Sequence, residues 1–486
     1  MKTVQSRLRS SLLAGACLLA LTGPAAAGTD PSASVDAYAP RLNQVARQIW
    51  DRAELGYQET ATSELLQKEL KSAGFKVQAN VAGMPTAFIA RAGKGGGPVI
   101  AILAEMDALP GVSQDAVPQR QPIPGKDAGH ACGHNLFGAG SVAAARAVKQ
   151  WLDASGQPGE VRVYGAPAEE GGSGKVFLVR AGLFDDVDVV LHWHPGAGNS
   201  AAQPTSLANI SGKFRFHGIA AHAAASPERG RSALDGVEAL DNMVNMMREH
   251  VPQDMRIHYV ITDGGKAPNV VPAEAEVYYY VRHQDPEVVK SVMARIKKAA
   301  EGAAMGTETK VEYEPVGGTY NLLPNDTLGK LMDANLHNIG GVRYSAQDTA
   351  FAQVLRKSLG DAPPLTQATE IASYGVGQVM HGSTDVGDVS WVVPTVGLST
   401  ATWVPGTAAH SWQAVAASGT DIGYQGAAVA AKVMALTATQ LFAQPELIAQ
   451  AKAEFEQRRG ADFKYHTLLD RAAPALDYRR LGGASD

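Results

Sequence analysis

The chain has 486 residues, of which 45% are hydrophobic and 19% charged, so it is long enough for two domains with separate cores. Its formal net charge of −5 is small for this length, and no dense run of Lys or Arg occurs. Composition therefore excludes a general nucleic-acid binder, and no nucleic-acid partner is expected.

The N-terminus is typical of a secretory signal peptide. Basic residues at positions 2, 7 and 9 precede an apolar run over 12–21, and Ala25–Ala27 provides a small-residue cleavage site. We predict a signal peptide over 1–27 and an exported protein, periplasmic or secreted, with lipidation at Cys17 as the minor alternative. The run is too short for a permanent membrane span, and none is predicted later in the chain. Removal of the peptide leaves Cys132 as the single cysteine.

The predicted elements after the signal peptide alternate between helices and strands. Two helices over 35–74 precede a strand over 98–109, a helix over 139–156 and two further strands near 160 and 190. This alternation predicts an α/β fold with a mixed, largely parallel sheet flanked by helices. Polar residues past the carboxyl ends of such strands usually line the site. The residues at these ends are Glu105, Asp107, Glu169, Glu170, His192 and His194.

The texture of the sequence changes between about 206 and 316. A strand, a turn with His222, a helix, two alternating strands, a second helix and a further strand follow one another. This order predicts a compact α+β domain inserted at 206–316. The catalytic domain is then discontinuous and covers 30–205 and 317–486.

Potential metal ligands are scattered through the larger domain. Taken singly, each has an ordinary structural explanation, such as a solvated acidic loop or a buried histidine. Their joint occurrence at predicted strand ends favours a metal-dependent hydrolase, which needs His, Cys, Asp or Glu donors and a free carboxylate. The candidates are Cys132, His134, Glu169, Glu170, His192, His194 and His410. A thiol enzyme that uses Cys132 is the alternative, although neighbouring histidines fit ligation better.

Eight stretches in order resemble the M20 metallopeptidase/amidohydrolase family, closest to the p-aminobenzoyl-glutamate hydrolase branch of its aminoacylase-like subfamily D. They are AEMDALPGV, HACGHNLFGAG, APAEEGG, LHWHPGAGN, GIAAHAAASPERGRSALDG, PNVVPAEAEVYYYVR, GSTDVGDVSW and GTAAHSW. The resemblance implies a dinuclear-metal hydrolase domain that carries an inserted dimerisation or lid domain. It also implies a homodimer formed through that insertion.

The resemblance also implies roles for individual residues. Metal ligands would be Cys132, His134, Glu170, His194 and His410, with His192 as the alternative to His194. Glu169 would be the general base, Asp107 the acidic residue behind the metals, and His222 a lid residue that holds the oxyanion in the partner's site. Asn269 and Arg282 would bind the substrate carboxylate. Asn135 and Phe137 depart from the common aminoacylase pattern and fit the aminobenzoyl-glutamate branch.

These assignments predict an enzyme that cleaves the amide bond of N-acyl amino acids, dipeptides or p-aminobenzoyl-glutamate-like conjugates. Two divalent ions in each protomer are expected, Zn²⁺ or Mn²⁺, with Co²⁺ or Ni²⁺ compatible with the same donors. The alternatives are an aminoacylase or dipeptidase with another acyl preference, and a non-catalytic metal-dependent binding relative.

Overall fold

The computed structural model describes residues 30–479, so the predicted signal peptide lies outside the described residues. The first part of the chain forms α1 (Pro31–Arg52), α2 (Thr60–Ser72), β1 (Lys76–Ala79), β2 (Phe88–Gly95), β3 (Val99–Glu105), β4 (Leu109–Pro110), β5 (Ala128–Gly129), α3 (His134–Ser155), β6 (Gly159–Ala166), α4 (Gly174–Arg180), β7 (Val189–Gly196) and β8 (Gln203–Thr205). The middle part forms β9 (Ala208–His217), α5 (Ala233–Met247), β10 (Arg256–Asp263), β11 (Glu274–His283), α6 (Pro286–Gly306) and β12 (Lys310–Thr319). The last part forms α7 (Asp326–Ile339), α8 (Ala346–Arg356), β13 (Val376–Val379), α9 (Val386–Ser390), β14 (Thr395–Ala401), α10 (Trp412–Ser418), α11 (Asp421–Ala443) and α12 (Pro445–Arg459).

The first and last parts of the chain build one six-stranded sheet with the order β1-β2-β6-β3-β7-β14. Strands β6, β3, β7 and β14 run parallel, whereas β1 and β2 are antiparallel additions at one edge. The predicted mixed, largely parallel sheet is therefore confirmed. Because β14 pairs with β7, the carboxyl ends of strands from both parts meet at one edge.

Helices cover the faces of this sheet, and α11 is the most apolar of them. On length and composition alone α11 could cross a membrane, but 67% of its most apolar window is buried within the protein. Its side chains share the large hydrophobic core with α1, α3 and the central strands. We therefore assign α11 as a core helix of this domain.

The middle part of the chain forms its own antiparallel sheet with the order β10-β11-β9-β12. Side chains alternate between buried and half-buried positions along β11, as expected for a sheet covered on one face. Helices α5 and α6 cover that face and build a second core around residues such as Phe216, Val277 and Ile296. We call this unit the lid.

Local geometry differs from the prediction at three places. Helix α3 begins at His134, five residues before its predicted start, because Gly133 turns the chain with φ 76. A Cβ at Gly133 would lie 2.7 Å from Pro195, so only glycine fits there. Strand β7 continues to Gly196, which places both histidines of its sequence inside the strand instead of after it. A further helix, α12, follows the predicted last helix.

Candidate metal centre

Cys132 and His134 occupy the tight turn that leads from β5 into α3. Both side chains are buried, and His134 forms the first turn of the helix. The early start of α3 holds the two side chains at a helix N-terminus, next to the end of β3. A thiolate and an imidazole are thereby presented to the same space, as a metal of mixed donor preference requires.

Asp107, two residues past the end of β3, fixes the position of His134. The His134 Nδ1 atom lies 3.0 Å from Asp107 Oδ1, and the other Asp107 oxygen accepts the backbone N–H of Glu170 over 2.9 Å. The His134 Nε2 atom lies 3.1 Å from Glu105 Oε2 without the alignment of a hydrogen bond. Asp107 is thus the group that orients a ligand from behind, as such carboxylates do in metalloenzymes.

Glu169 and Glu170 lie on the loop that follows β6. This loop contains two non-glycine residues in the left-handed region, Ala168 with φ 57 and Ser173 with φ 58. Such conformations cost free energy and persist where surrounding contacts enforce them, which is common at functional sites. Burial, followed by the carboxylates of Glu105 and Glu170, raises the pKa of Glu169 well above its usual value.

His194 approaches Cys132 from β7. The Cys132 Sγ atom lies 3.4 Å from His194 Nε2, and His194 Nδ1 lies 2.7 Å from the backbone oxygen of Pro195. His192 lies two residues earlier on the strand, where a Cβ on Gly397 would come within 2.3 Å of its ring. Burial lowers the pKa of His192 to about 4, so its ring is neutral at pH 7. The structure places His194, and not His192, beside the cysteine.

His410 reaches the same place from the last part of the chain. Its backbone is left-handed, with φ 60, and its N–H donates to the backbone oxygen of Ala131 over 2.9 Å. The His410 Nε2 atom lies 3.2 Å from Glu170 Oε1, and the His410 side chain is 56% exposed. The bond to Ala131 fastens His410 to the turn that carries the cysteine.

The donors fall into overlapping groups in which all ligand atoms lie within 4.8 Å of one another. These groups are Cys132, His134 and His194; Cys132, Glu170 and His410; and Glu105, His134 and Glu169. His134 Nε2 and Glu170 Oε1 are buried without a hydrogen-bond partner among the described residues. Buried polar atoms normally have partners, and a divalent cation would supply them here. The residues present therefore fit a metal centre.

Lys175 and Asp385 do not follow from the sequence patterns. Lys175 Nζ lies 2.6 Å from both Glu105 Oε1 and Asp385 Oδ1, and all three side chains are almost completely buried. A charged residue inside the apolar run of α4, GKVFLVR, was the available signal. The ammonium group, with His134, holds the pKa of Glu105 well below its usual range despite the opposing effect of burial.

The lid residues lie apart from this cluster. The backbone oxygen of Asn269 accepts the N–H of Ala223, which places Asn269 beside His222 in adjoining exposed loops. Arg282 lies at the opposite end of β11, paired with Asn209 of β9. Among the described residues, no hydrogen bond joins His222, Asn269 or Arg282 to the Cys132 cluster. Their predicted roles stay predictions.

His130, the other histidine of the opening motif, has a structural role. It is buried, and its Nε2 atom lies 3.2 Å from the backbone oxygen of Ile49 on α1. Burial lowers its pKa to about 3, so it is a neutral core histidine that joins the turn to α1.

The fold and the clustered donors define a metal-dependent hydrolase with a lid. A family model described as "Peptidase dimerisation domain" matches residues 208–308, which covers most of the lid. The chain is 42% identical over 452 residues to one of the p-aminobenzoyl-glutamate hydrolase chains of Escherichia coli, covering 87% of this chain and 94% of that protein. It is 31% identical to the Xaa-Arg dipeptidase of Mus musculus, over 87% and 90% of the two chains. The chain belongs to the M20 family of metal-dependent amidohydrolases and peptidases, and it is a hydrolase of amide bonds.

Solved structures agree on the fold. A dinuclear metal-binding peptidase of the M20 family from Bacillus subtilis matches with a TM-score of 0.57 and 19% identity, covering 84% of this chain and 99% of that chain. The aminobenzoyl-glutamate utilization protein of Klebsiella pneumoniae matches with a TM-score of 0.55 and 20% identity, over 82% and 96%. The predicted α/β hydrolase domain with an inserted dimerisation domain is confirmed.

Proposed function

We propose that this protein hydrolyses the amide bond of an N-acylated amino acid, with p-aminobenzoyl-glutamate and related aryl-amide or dipeptide conjugates as the substrate class. The observation that carries the proposal is the pair of donor groups that share Cys132, with Glu169 in a third group beside them. Two divalent ions, Zn²⁺ or Mn²⁺, would be held by Cys132, His134 and His194 and by Cys132, Glu170 and His410. The similarity to the Escherichia coli p-aminobenzoyl-glutamate hydrolase chain supports the substrate class.

Each residue has a defined part in the reaction. The bound ions would supply Lewis-acid activation of water and of the amide carbonyl. Glu169 takes a proton from the attacking water on its carboxylate and returns it to the leaving amine. Its raised pKa, caused first by burial, suits a group that must hold this proton between the two steps. Asp107 keeps the His134 ring in place through Nδ1.

The lid supplies the remaining groups through a second copy of the chain. We assign His222 to the oxyanion in the partner's site, and Asn269 and Arg282 to the substrate carboxylate. Strand β10 is an exposed sheet edge with apolar side chains at Tyr259 and Val260, 37% and 55% exposed. Such an edge favours pairing with another strand. A homodimer through this edge would bury these side chains.

The proposal is tested by a hydrolysis screen after defined metal reconstitution. The substrates are p-aminobenzoyl-glutamate, N-acetyl amino acids and Xaa-Arg dipeptides, and released amine is measured with Zn²⁺, Mn²⁺, Co²⁺ or Ni²⁺. We expect turnover of at least one N-acyl amino acid and a loss of about 10²–10⁴-fold in kcat for Glu169→Gln. Wild-type turnover by a folded, metal-loaded Glu169→Gln protein would refute the base assignment. Metal binding without turnover of any substrate would favour a binding relative.

A thiol enzyme is the competing mechanism, because the Cys132 sulfur faces a histidine nitrogen at 3.4 Å. Chelation distinguishes the two mechanisms. The metal mechanism predicts complete inactivation by a chelator and recovery on addition of Zn²⁺ or Mn²⁺. Activity that persists in metal-free protein would favour the thiol. Alkylation is not informative, because it also blocks a ligand sulfur.

Export is the last part of the proposal. The basic, apolar and small-residue segments of 1–27 support cleavage after Ala27. Mass spectrometry of the protein produced with its full N-terminus should find a chain that begins at Gly28 in the exported fraction. A full-length chain retained in the cytoplasm would contradict this part and leave the enzymatic proposal intact.

A further inference from the structure

The segment after α12 crosses from the lid to the metal centre. We call residues 460–479 the strap. Its Leu468 side chain belongs to the core of the lid, whereas the next residue, Leu469, belongs to the core of the hydrolase domain. Arg471 Nη1 donates to Glu314 Oε1 over 3.2 Å and to the backbone oxygen of Pro315 over 3.1 Å. The strap is therefore packed against both units along its length.

The end of the strap contacts the loop of the paired glutamates. The Tyr478 hydroxyl donates to the backbone oxygen of Glu170 over 3.0 Å, and Arg479 Nη2 donates to the same oxygen. The Tyr478 ring lies edge-on to Tyr57, with centroids 5.7 Å apart. Tyr57 in turn donates to the backbone oxygen of Gly172 over 2.7 Å. Two tyrosines and an arginine thus bind the carbonyl groups of this loop.

Both backbone polar groups of Glu170 are consequently held by side chains. Its N–H donates to Asp107, and its oxygen accepts from the strap. The loop is strained at Ala168 and Ser173, so it needs such external contacts to keep its shape. That shape is what sends the side chains of two adjacent glutamates to different donor groups, Glu169 with His134 and Glu170 with His410.

We propose that Tyr478 and Arg479 are positioning residues, which clamp the Glu170 backbone so that Glu170 serves as ligand while Glu169 stays free as base. This inference rests on the proposed function. Loss of the clamp should relax the loop and lower kcat, because the base and the metals lose their relative position. The KM should change little, since neither residue touches the substrate in this assignment.

The test compares Tyr478→Phe/Arg479→Met with Arg471→Met, which cuts a strap contact to the lid and leaves the loop contact in place. Hydrogen–deuterium exchange in the metal-free protein reports on the loop peptide 167–175. We expect exchange there to be at least about 10-fold faster in the double variant and unchanged in Arg471→Met. For the metal-loaded proteins we expect about a 10-fold fall in kcat and less than a threefold change in KM for the double variant alone. Arg479→Lys should retain most of the activity.

Unchanged exchange and unchanged kcat in the double variant would overturn the proposal. Equal losses in Arg471→Met would also overturn it, because they would show a general effect of loosening the strap. Glu169→Gln is measured in parallel. If that variant is inactive while the double variant matches wild type, the clamp fails and the proposed function stands. If Glu169→Gln is fully active, the proposed function itself fails.

Discussion

Asp107 and Glu170 are joined by a hydrogen bond in which the Glu170 N–H donates to Asp107 Oδ2 over 2.9 Å. The same carboxylate faces His134 Nδ1 with its other oxygen. One buried side chain therefore sets the positions of two ligands that lie far apart in the sequence, on α3 and on the loop after β6. Two acceptor oxygens are needed for this, which explains an acid at this position.

We expect Asp107→Asn to weaken metal binding by about 10–100-fold, because an amide offers one acceptor where two donors require one each. Metal affinity is measured by titration against a chelator of known affinity. The matched control is Asp254→Asn, which alters an exposed Asp–His pair on the lid, with 3.0 Å between Asp254 Oδ1 and His283 Nε2. Equal metal affinity in Asp107→Asn and wild type would contradict the assignment.

His194→Ala and His192→Ala should behave differently. The first removes a side chain within reach of Cys132 and should release metal and abolish turnover. The second removes a ring packed against Gly397, so we expect lower thermal stability with metal content unchanged. Metal content by elemental analysis and melting temperature are the two readouts. The reverse pattern would identify His192 as the ligand.

Lys175→Met should be strongly destabilising. It leaves the carboxylates of Glu105 and Asp385 buried without their shared cation, and breaking such a pair typically costs about 3–5 kcal/mol. Chemical denaturation measures the change in the free energy of unfolding. Adding Asp385→Asn to this variant should recover part of the loss, since it removes one uncompensated charge.

The control for this prediction is Lys330→Met, which removes an exposed pair with Asp326 on α7. Its effect should stay below about 0.5 kcal/mol, because exposed pairs contribute little. Similar small effects in both variants would show that the buried ammonium is not required for the fold.

Asp388 predicts a stability that depends on pH. Burial raises the pKa of Asp388 to about 7, although Tyr465 donates to its carboxylate over 2.6 Å. A carboxyl whose pKa is higher in the folded than in the unfolded protein stabilises the fold at low pH. That contribution is lost as the pH rises from about 4 through 7.

The measurement is the difference in unfolding free energy between wild type and Asp388→Asn at several pH values. We expect the advantage of wild type to shrink by about 2–4 kcal/mol between pH 4 and pH 8, since each pKa unit corresponds to about 1.4 kcal/mol. A difference that is constant over this range would show that Asp388 titrates normally.

The sequence was most informative where the fold itself brings residues together. Parallel strands end at one edge, so Cys132, Glu170 and His194 could be expected near one another before their distances were known. The choice between His192 and His194 was open, because both point to the same side of β7 and only the position of the cysteine sulfur separates them. The antiparallel edge strands β1 and β2 lacked a comparable signal.

Contacts between distant and irregular segments could not be predicted in this way. Lys175 pairs with Asp385 across 210 residues, and Tyr478 meets Glu170 across 308. Neither pair follows from periodicity or from turn chemistry, because each depends on how complete domains pack. The strap has no regular secondary structure, so its sequence carries no pattern that would reveal its path.

The bond between the His410 N–H and the Ala131 oxygen bears on the order of events during synthesis. Ligands contributed before the lid wait for a histidine that leaves the ribosome after it, and the strap follows later still. A partly made chain therefore offers an incomplete donor set. Metal capture is a late event in the life of the molecule, coupled to the folding of the entire chain.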